Sequence, residues 1–337
     1  MKPCARLFVA IILLTATTAH AQLWHSPQET AGQAILKDYA LSGTVLRRGD
    51  TTVTLDVAGN VVVGVFVQTS SLADLARGIG AGWSLAEADL PSLQANLAAP
   101  KVLTTAKTGF VDVTDDGATD VIALKTSGDG AKTRYMAYVA AKVWPDSMFP
   151  ATKNVIGSAA APDTLRIFSD FQCPYCKQMW DASAKGWEAA PGAYRTSHYQ
   201  FPLTMHRNAQ AAAEASECAS AQGKFWPYAD VLFAAYDTWT PLEPKDVPAT
   251  LATYANDAGL DTAAFMTCFS AHTFKASIDA QIRAGIAVGV QGTPTVYLNG
   301  VKLTNYSDSA ELARVHAATT ATPSAATVID ARLKLFR

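Results

Sequence analysis

Hydrophobic and polar residues alternate in short runs through the first half of the chain, which predicts a region rich in β-strands. Seven runs, separated mostly by glycine-containing turns such as 115–117, are predicted as strands: residues 42–48, 51–57, 60–68, 101–107, 109–113, 119–125 and 132–140. A short helix is predicted over 23–40 and a helical region over 70–98, interrupted at Pro91. Residues 22–140 are therefore predicted to form a β-rich α+β domain, in which we find no catalytic constellation.

The second half mixes strand and helix patterns. It begins with a segment, 141–163, whose Pro, Ala and Gly residues predict an interdomain linker. The elements that follow are predicted, in chain order, as strands at 164–171 and 198–204, a helical insert at about 206–288, a hairpin at 295–303 and a helical tail at 308–337. Residues 164–337 are therefore predicted to form a second domain that contains both strands and helices.

Length and composition agree with two globular domains, because 337 residues with 49% hydrophobic and 17% charged residues suffice for two cores. The first 21 residues carry Lys2 and Arg6, then an apolar stretch of about ten residues and Ala19-His20-Ala21. This order predicts a signal peptide over 1–21, cleaved near Ala21, and a periplasmic or secreted protein; a retained membrane anchor is the alternative. Without Lys2 and Arg6 the net charge is −4, from 25 basic and 29 acidic residues, which gives no indication of nucleic-acid binding.

Four cysteines remain once Cys4 is removed with the predicted signal peptide. An even number in an oxidising compartment points to disulfides, and four cysteines allow three pairings. Cys173 and Cys176 lie three positions apart and are the obvious local pair. We therefore expect Cys218 and Cys268 to form a structural disulfide, with two free thiols as the alternative.

The Cys-Pro-Tyr-Cys segment has the order of residues that an activated thiol requires. Pro174 suits the first position of a helix, which places Cys173 at the N-cap. The Cys173 thiolate would then face free backbone N–H groups and the positive end of the helix dipole, which lower its pKa. Cys176 lies one turn into the same helix on its apolar face. The pattern predicts one exposed, reactive cysteine and one buried, resolving cysteine, as thiol–disulfide exchange requires.

A metal site is the competing interpretation of this motif. A four-coordinate zinc site needs a second pair of Cys or His residues at close spacing. The other two cysteines are 50 residues apart, and the histidines of the mature chain are scattered. We therefore expect no metal and no organic cofactor, and keep a metal-delivery module with Cys173 and Cys176 as ligands as the alternative.

A second motif, Gly292-Thr293-Pro294-Thr295, precedes a predicted strand. A proline at a strand start removes a hydrogen-bond donor, so it needs a reason. A cis peptide at Thr293–Pro294 would bring this loop beside the cysteines and present the backbone of Thr293 to an extended substrate. An ordinary trans proline is the alternative, and it is the more frequent state.

Together, the stretches FSDFQCPYCKQMW, EASECASAQGKFWPYADVLF and VGVQGTPTVYLNG resemble the bacterial periplasmic DsbA-type thioredoxin-like family. The resemblance covers about residues 160–335 and implies a thioredoxin-like fold with an inserted helical subdomain. It also implies that Cys173 is the nucleophile, Cys176 the resolving cysteine and Pro294 a cis-proline preceded by Thr293. CPYC with threonine before the cis-proline is similar to DsbG, whose dimerisation domain also precedes the catalytic one.

The family often carries a buried acid six residues before the first cysteine, where this chain has Ile167. Asp170 is a candidate substitute, although a strand-end aspartate equally suits a turn or cap. His206 is expected to be a partly exposed histidine at a helix start, with a place in the active-site groove as the alternative. Tyr175, between the cysteines, is expected to be exposed and to contact substrate.

Six aromatic residues near these motifs are expected in the core: Phe168, Phe171, Trp180, Trp187, Phe225 and Trp226.

The sequence thus predicts an exported enzyme that forms or rearranges disulfides in other proteins through Cys173 and Cys176. Its expected partners are protein thiols and disulfides, a membrane redox protein, and a second copy bound through the N-terminal domain. The direction of the reaction, oxidase or isomerase, is left open by the sequence.

Overall fold

The computed structural model describes residues 23–112 and 119–337. The predicted signal peptide and the predicted turn at 115–117 both lie outside the described residues. The described chain divides into two compact units, the first formed by residues 23–112, 119–142 and 313–337 and the second by residues 143–312.

The first unit is built on an antiparallel sheet in the order β1-β2-β3-β4-β7-β6-β5. Its strands are β1 (Ala40–Ser42), β2 (Val45–Arg48), β3 (Thr51–Ala58), β4 (Val61–Thr69), β5 (Phe110–Asp112), β6 (Asp120–Ser127) and β7 (Arg134–Ala141). Its first helices are α1 (Pro27–Ala31), α2 (Leu72–Trp83), α3 (Leu90–Leu97) and α4 (Pro100–Ala106), with single 3₁₀ turns at Ala34–Leu36, Glu87–Asp89 and Gly130–Lys132. The β-rich α+β character predicted for this region is confirmed.

Helix α2 packs closely against the centre of this sheet because two of its three glycines face the sheet. A Cβ atom on Gly78 would lie 2.3 Å from a methyl carbon of Val67, and one on Gly82 would lie 2.9 Å from a methyl carbon of Val139. Real Cβ atoms do not come this close to a neighbour. The glycines therefore set the distance between helix and sheet.

The strand predicted at 101–107 is wrong, because this segment is helix α4. Pro100 occupies the first turn of the helix, where its missing N–H costs no hydrogen bond. Val102 and Ala106 are buried at helical spacing, on the side that faces the sheet. Pro91 likewise lies in the first turn of α3, so it begins a helix instead of interrupting one.

The second unit contains a mixed sheet in the order β12-β11-β9-β10-β8. Its strands are β8 (Val155–Ile156), β9 (Asp163–Ser169), β10 (Tyr194–Gln200), β11 (Thr295–Leu298) and β12 (Val301–Lys302). Strands β9 and β10 are parallel, and the other pairs are antiparallel. The hairpin turns at Asn299-Gly300, both with positive φ, as predicted.

The crossover from β9 to β10 runs through α5 (Pro174–Met179), a π-helical turn (Trp180–Ala184) and α6 (Lys185–Glu188). The helical insert between β10 and β11 contains α7 (Ala209–Ala221), α8 (Phe225–Ala234), α9 (Tyr236–Trp239), α10 (Val247–Asp257), α11 (Thr262–Ser270) and α12 (Lys275–Ala287). The six aromatic residues expected in the core are all buried. The strand–helix–strand order with a helical insert is the thioredoxin-like fold that the sequence predicts, and it is confirmed.

Residues 143–163 do not form a free linker, because they pack into the second unit. They include a 3₁₀ turn, Asp146–Met148, and strand β8 at the edge of the sheet. Phe149 is 8% exposed and belongs to an aromatic core cluster with Phe168, Tyr199 and Tyr297. Hydrophobic packing therefore holds this segment in the second unit, although its Pro and Ala content predicts an interdomain linker.

The C-terminal residues also belong to a different unit from the one predicted. The boundary between the units falls within α13 (Ser309–Thr320), and residues 313–337, assigned to the second domain from the sequence, belong to the first unit. Helix α14 (Ala325–Leu333), followed by a 3₁₀ turn at Lys334–Phe336, packs on β3, β4 and β7. Arg332 donates two hydrogen bonds to Asp56, at 2.9 and 2.7 Å, and the Phe336 ring meets Phe66 edge-on.

Candidate active site

Cys173 lies between the end of β9 and the first turn of α5, where its backbone is extended and caps the helix. Pro174 occupies the first helical position. The Cys173 carbonyl accepts from the N–H groups of Cys176 (3.0 Å) and Lys177 (3.2 Å), which starts the helical ladder. The predicted placement at a helix N-terminus is the one that the structure shows.

The surroundings of Cys173 lower the pKa of its thiol from 9.0 to about 6. The largest cause is a hydrogen bond from the Cys176 thiol; the Thr293 side chain and the backbone N–H groups of Cys176 and Tyr175 act in the same direction, against burial. Each of these donors stabilises the anion more than the neutral thiol. Most Cys173 side chains are therefore thiolates at pH 7.

Cys176 has the opposite character. It is fully buried, and this burial raises the pKa of its thiol well above the ordinary value, with a further rise from the neighbouring Cys173 charge. The backbone N–H of Asp170 donates to the Cys176 sulfur over 3.4 Å. The two cysteines are not bonded to each other in this structure, so the geometry is that of a dithiol.

Cys173 is less accessible than expected. The sequence interpretation made it exposed, whereas only 3% of its surface is accessible. The loop before β11, in which the Thr293–Pro294 peptide is cis, contacts the Cys173 side chain. When it is protonated, the Cys173 thiol donates to the Thr293 carbonyl over 3.3 Å. Tyr175, in contrast, is 64% exposed.

The structure shows a pair of interacting side chains, Asp170 and His206, that the sequence analysis did not predict. Asp170, whose side chain is 0% exposed, accepts from the backbone N–H of Gln172 (2.7 Å) and of Leu203 (2.9 Å). His206 contacts the same carboxylate, with Nδ1 2.6 Å from Oδ2. Burial raises the pKa of Asp170, and the three hydrogen-bonding partners oppose this rise.

His206 precedes α7 instead of opening it, and its side chain is 20% exposed. Its partial exposure agrees with the expectation, but its role as a simple helix-start residue does not, because it is bound to Asp170. Ile167 is fully buried, so the position of the family's acid is apolar here. The signals for the pair were an aspartate three residues before the motif and a histidine 36 residues after that aspartate.

Residues of the helical insert form hydrogen bonds to Gln172, the residue before Cys173, at both its side chain and its backbone carbonyl. Gln172 donates to the Thr240 carbonyl (2.9 Å) and accepts from the Asn208 N–H (2.7 Å), and Tyr236 donates to the Gln172 carbonyl (2.8 Å). These bonds connect the helical insert to the residue that precedes Cys173. The insert is thus part of the framework that positions Cys173.

Cys218 and Cys268 form a disulfide in the structure, with Cα atoms 5.9 Å apart. It joins α7 to α11 within the helical insert. Among residues 23–112 and 119–337, no group of three or more His, Cys, Asp or Glu side chains is arranged to hold a metal ion.

Residues 151–315 match the family model described as Thioredoxin. This part of the chain is a thioredoxin-like domain. The resemblance to a thioredoxin-like family inferred from the sequence is confirmed for this region.

Solved structures similar to the chain include Wolbachia pipientis alpha-DsbA1, at 17% identity and a TM-score of 0.44, covering 56% of this chain and 98% of the other. BdbD from Bacillus subtilis is similar at 20% identity and a TM-score of 0.43, covering 52% and 94%.

Curated proteins with similar sequence include the Na(+)/H(+) antiporter NhaA 3 of Salinispora tropica. It is 34% identical over 152 residues, which are 45% of this chain and 22% of the antiporter. This chain therefore matches only about a fifth of that relative's length. In the part of the chain that the structure describes, we find no helix with the length and apolar character needed to cross a membrane.

Proposed function

We propose that this protein is an exported thiol–disulfide oxidoreductase that forms or rearranges disulfides in other proteins through Cys173 and Cys176. The observation that carries the proposal is the contrast between the two thiols. One is activated at a helix N-terminus, with its pKa lowered to about 6, and the other is buried beside it with its pKa raised.

The reaction follows from this contrast. The Cys173 thiolate attacks one sulfur of a substrate disulfide, a Cys173–substrate disulfide forms, and the other substrate sulfur leaves as a thiolate. Cys176 then loses its proton and attacks Cys173, which releases the second substrate thiolate and leaves a Cys173–Cys176 disulfide. The substrate gains two electrons. The reverse sequence oxidises a substrate dithiol and returns the enzyme to its reduced state.

The lowered pKa of Cys173 favours the oxidising direction. At pH 7, a fall from 9.0 to about 6 stabilises the reduced enzyme by about 1.4 kcal/mol, which raises the reduction potential by about 30 mV. A more stable reduced form makes the disulfide form a better donor. We therefore favour disulfide donation, with isomerisation as the alternative for the same site.

We further propose that the loop at Thr293 and Pro294 holds an extended substrate segment beside Cys173. The Thr293 carbonyl already faces the sulfur, and backbone groups of this kind bind extended peptides by strand addition. Tyr175 is exposed next to the nucleophile and offers an apolar contact to the substrate.

The same proposal assigns the protein to the periplasm or the extracellular space. The Cys218–Cys268 disulfide supports this, because structural disulfides persist in oxidising compartments. A membrane redox protein is the partner we propose for exchanging electrons with the Cys173–Cys176 pair. A homodimer formed through the first unit is a further proposal, to be tested by sedimentation.

Two ribonuclease assays test the function. Oxidised protein is mixed with reduced ribonuclease, and reduced protein with scrambled ribonuclease, and regained ribonuclease activity is followed with Cys173→Ala as the control. Recovery from reduced ribonuclease alone means an oxidase, and recovery from scrambled ribonuclease means an isomerase. If neither recovery depends on Cys173, the proposed function is wrong.

A metal-delivery module would instead need ligands beyond Cys173 and Cys176. Metal content of the isolated protein, measured with and without the Cys173→Ala substitution, tests that alternative. Metal lost with this substitution would support it.

A further inference from the structure

The first unit has an open pocket on one face of its sheet. The volume of this pocket is about 410 Å³, which is in the range of sites that bind small molecules. The proposed redox reaction does not use it, because both cysteines of the motif belong to the second unit. Strands β4, β7 and β6 contribute lining residues, among them Gln68, Lys125, Arg134 and Met136.

The register of the sheet places these four side chains on one face. Met136 pairs with Gln68 on one side and with Lys125 on the other, and directly paired residues share a face. Arg134 lies two positions before Met136 on β7, so it has the same face. Phe66, two positions before Gln68, packs against α14 and the C-terminal turn, so the pocket continues the face that these elements cover. Gln68 and Arg134 are exposed there, and a ligand can reach them.

The pocket carries more positive than negative charge. Lys125 donates to a backbone carbonyl of the C-terminal turn over 3.3 Å, so its charge meets a neutral group. Arg134 pairs with Asp50, which is the one carboxylate among the lining residues. Asp129, in the turn that follows β6, is paired with Lys107 at 2.9 Å. Two cations and one carboxylate therefore line the pocket, which favours an anionic ligand.

The spacing of the two cations fits an extended acidic peptide. Lys125 and Arg134 occupy diagonal positions on neighbouring strands, where Cβ atoms are about 7 to 8 Å apart. Alternate side chains of an extended chain project to the same side and are about 7 Å apart, so two carboxylates can meet both cations at once. Met136 offers an apolar surface between them, and the Gln68 amide can bond the peptide backbone. Arg47 continues the same row across β3 to β2 and gives a longer acidic segment a third partner.

Nucleic acids and lipid surfaces fit this pocket less well. A nucleic-acid site needs clustered cations that contact many phosphates, whereas the cations here are few and the chain has 29 acidic against 27 basic residues. A lipid surface needs large exposed apolar side chains beside the cations. The residues that line the pocket include none of the large exposed apolar side chains of the described chain.

We infer that this pocket binds acidic segments of other proteins in an extended conformation, with Lys125 and Arg134 pairing with carboxylates two residues apart. The inference goes beyond the proposed redox reaction and does not depend on it, since binding here makes and breaks no covalent bond. The first unit is thereby a binding module with a ligand class of its own.

The test measures binding of a fluorescein-labelled hexaglutamate peptide to the full chain by fluorescence anisotropy, at neutral pH and about 50 mM salt. The peptide has no cysteine, so its binding is independent of the redox reaction. Lys125→Gln and Arg134→Gln each remove one cation, and Asp50→Asn removes the carboxylate that competes for Arg134. Lys37→Gln is the matched control, because Lys37 is an exposed lysine of the same unit that ends the 3₁₀ turn packed on α2.

We expect Lys125→Gln and Arg134→Gln each to weaken binding about threefold and the double variant about tenfold. Asp50→Asn should strengthen binding, an effect that damage to the fold would not produce, and Lys37→Gln should leave it unchanged. Salt at about 500 mM should remove most of the binding, because the charges are exposed.

No saturable binding by wild type, or equal affinity of wild type and the double variant, would overturn the inference. Tighter binding of a single-stranded oligonucleotide or of anionic lipid vesicles through the same two cations would overturn the choice of an acidic protein segment as the ligand. Failure of the proposed redox function would be seen separately, in the two ribonuclease assays, which do not involve this pocket.

Discussion

His198 gives a prediction that can be calculated from the structure. It lies in β10, is fully buried, and is surrounded by the rings of Phe171 (centroid distance 5.6 Å), Phe225 (4.8 Å) and Trp180 (6.3 Å). Within the described part of the chain, neither of its ring nitrogens has a hydrogen-bond partner. Burial lowers the pKa of His198 to about 3.

The sign of the effect follows from proton linkage. The unfolded chain has a histidine pKa of about 6.5, so between pH 6.5 and 3 the unfolded state binds a proton that the folded state does not. The contribution of His198 to the free energy of unfolding is therefore fully present above about pH 6.5 and is lost as the pH falls below this value. The loss is at most about 1.4 kcal/mol per pH unit, which gives about 2.7 kcal/mol between pH 7.5 and pH 4.5.

The assay compares urea unfolding of wild type and His198→Leu at pH 7.5 and pH 4.5, followed by tryptophan fluorescence. The transition of the second unit is identified by its shift when the Cys218–Cys268 disulfide is reduced. Carboxylates contribute equally to both proteins and cancel. The free energy of unfolding of wild type should fall by about 2.7 kcal/mol more than that of the variant.

Thr196→Val is the matched control, because Thr196 is buried, does not titrate and lies two residues before His198 on the same face of β10. This variant should keep the wild-type pH dependence. Equal pH dependence in wild type and His198→Leu would refute the argument, because it would mean that the folded state accepts the proton at no cost.

Three further predictions concern the rest of the molecule. Thr293→Val removes a side chain that lowers the pKa of Cys173, so the pH midpoint of its alkylation by iodoacetamide should rise above about 6; an unchanged midpoint would contradict this. Replacing Cys218 and Cys268 together with serine opens a loop of 50 residues and should cost the second unit about 4 kcal/mol in urea unfolding, with the alkylation midpoint unaltered. Arg332→Met leaves a buried carboxylate of β3 without its partner and should lower the unfolding free energy of the first unit by about 3 kcal/mol, and equal stability would show that the pair contributes nothing.

Several elements could be read from the sequence because their signals are local. The hairpin from β11 to β12 follows from Asn299-Gly300, and the helix after Cys173 follows from Pro174 at its first position. The strands β2, β3 and β4 follow from apolar runs between turn residues. In each case the deciding residues lie within a few positions of one another.

The errors arose where packing overrides a local pattern. The segment at Phe149 has the composition of a linker, but the ring is buried by aromatic residues from distant strands. The last residues, 313–337, follow the second unit in sequence but belong to the first unit. There Arg332 pairs with Asp56. No residue pattern close to Phe149 or to Arg332 in the sequence identifies the distant residues against which each one packs.

The sequence by itself determined that the Cys-Pro-Tyr-Cys motif stands at a helix start, because both cysteines and the proline at the first helical position lie within one turn. Only the tertiary structure decided how that motif is tuned. Thr293, whose carbonyl contacts the Cys173 sulfur, lies 120 positions after Cys173 in the sequence. His206, which is bound to Asp170, lies 36 positions after Asp170. Hydrogen bonds act over about 3 Å in space regardless of separation along the chain, so the partners of a site become known only when the fold brings them together.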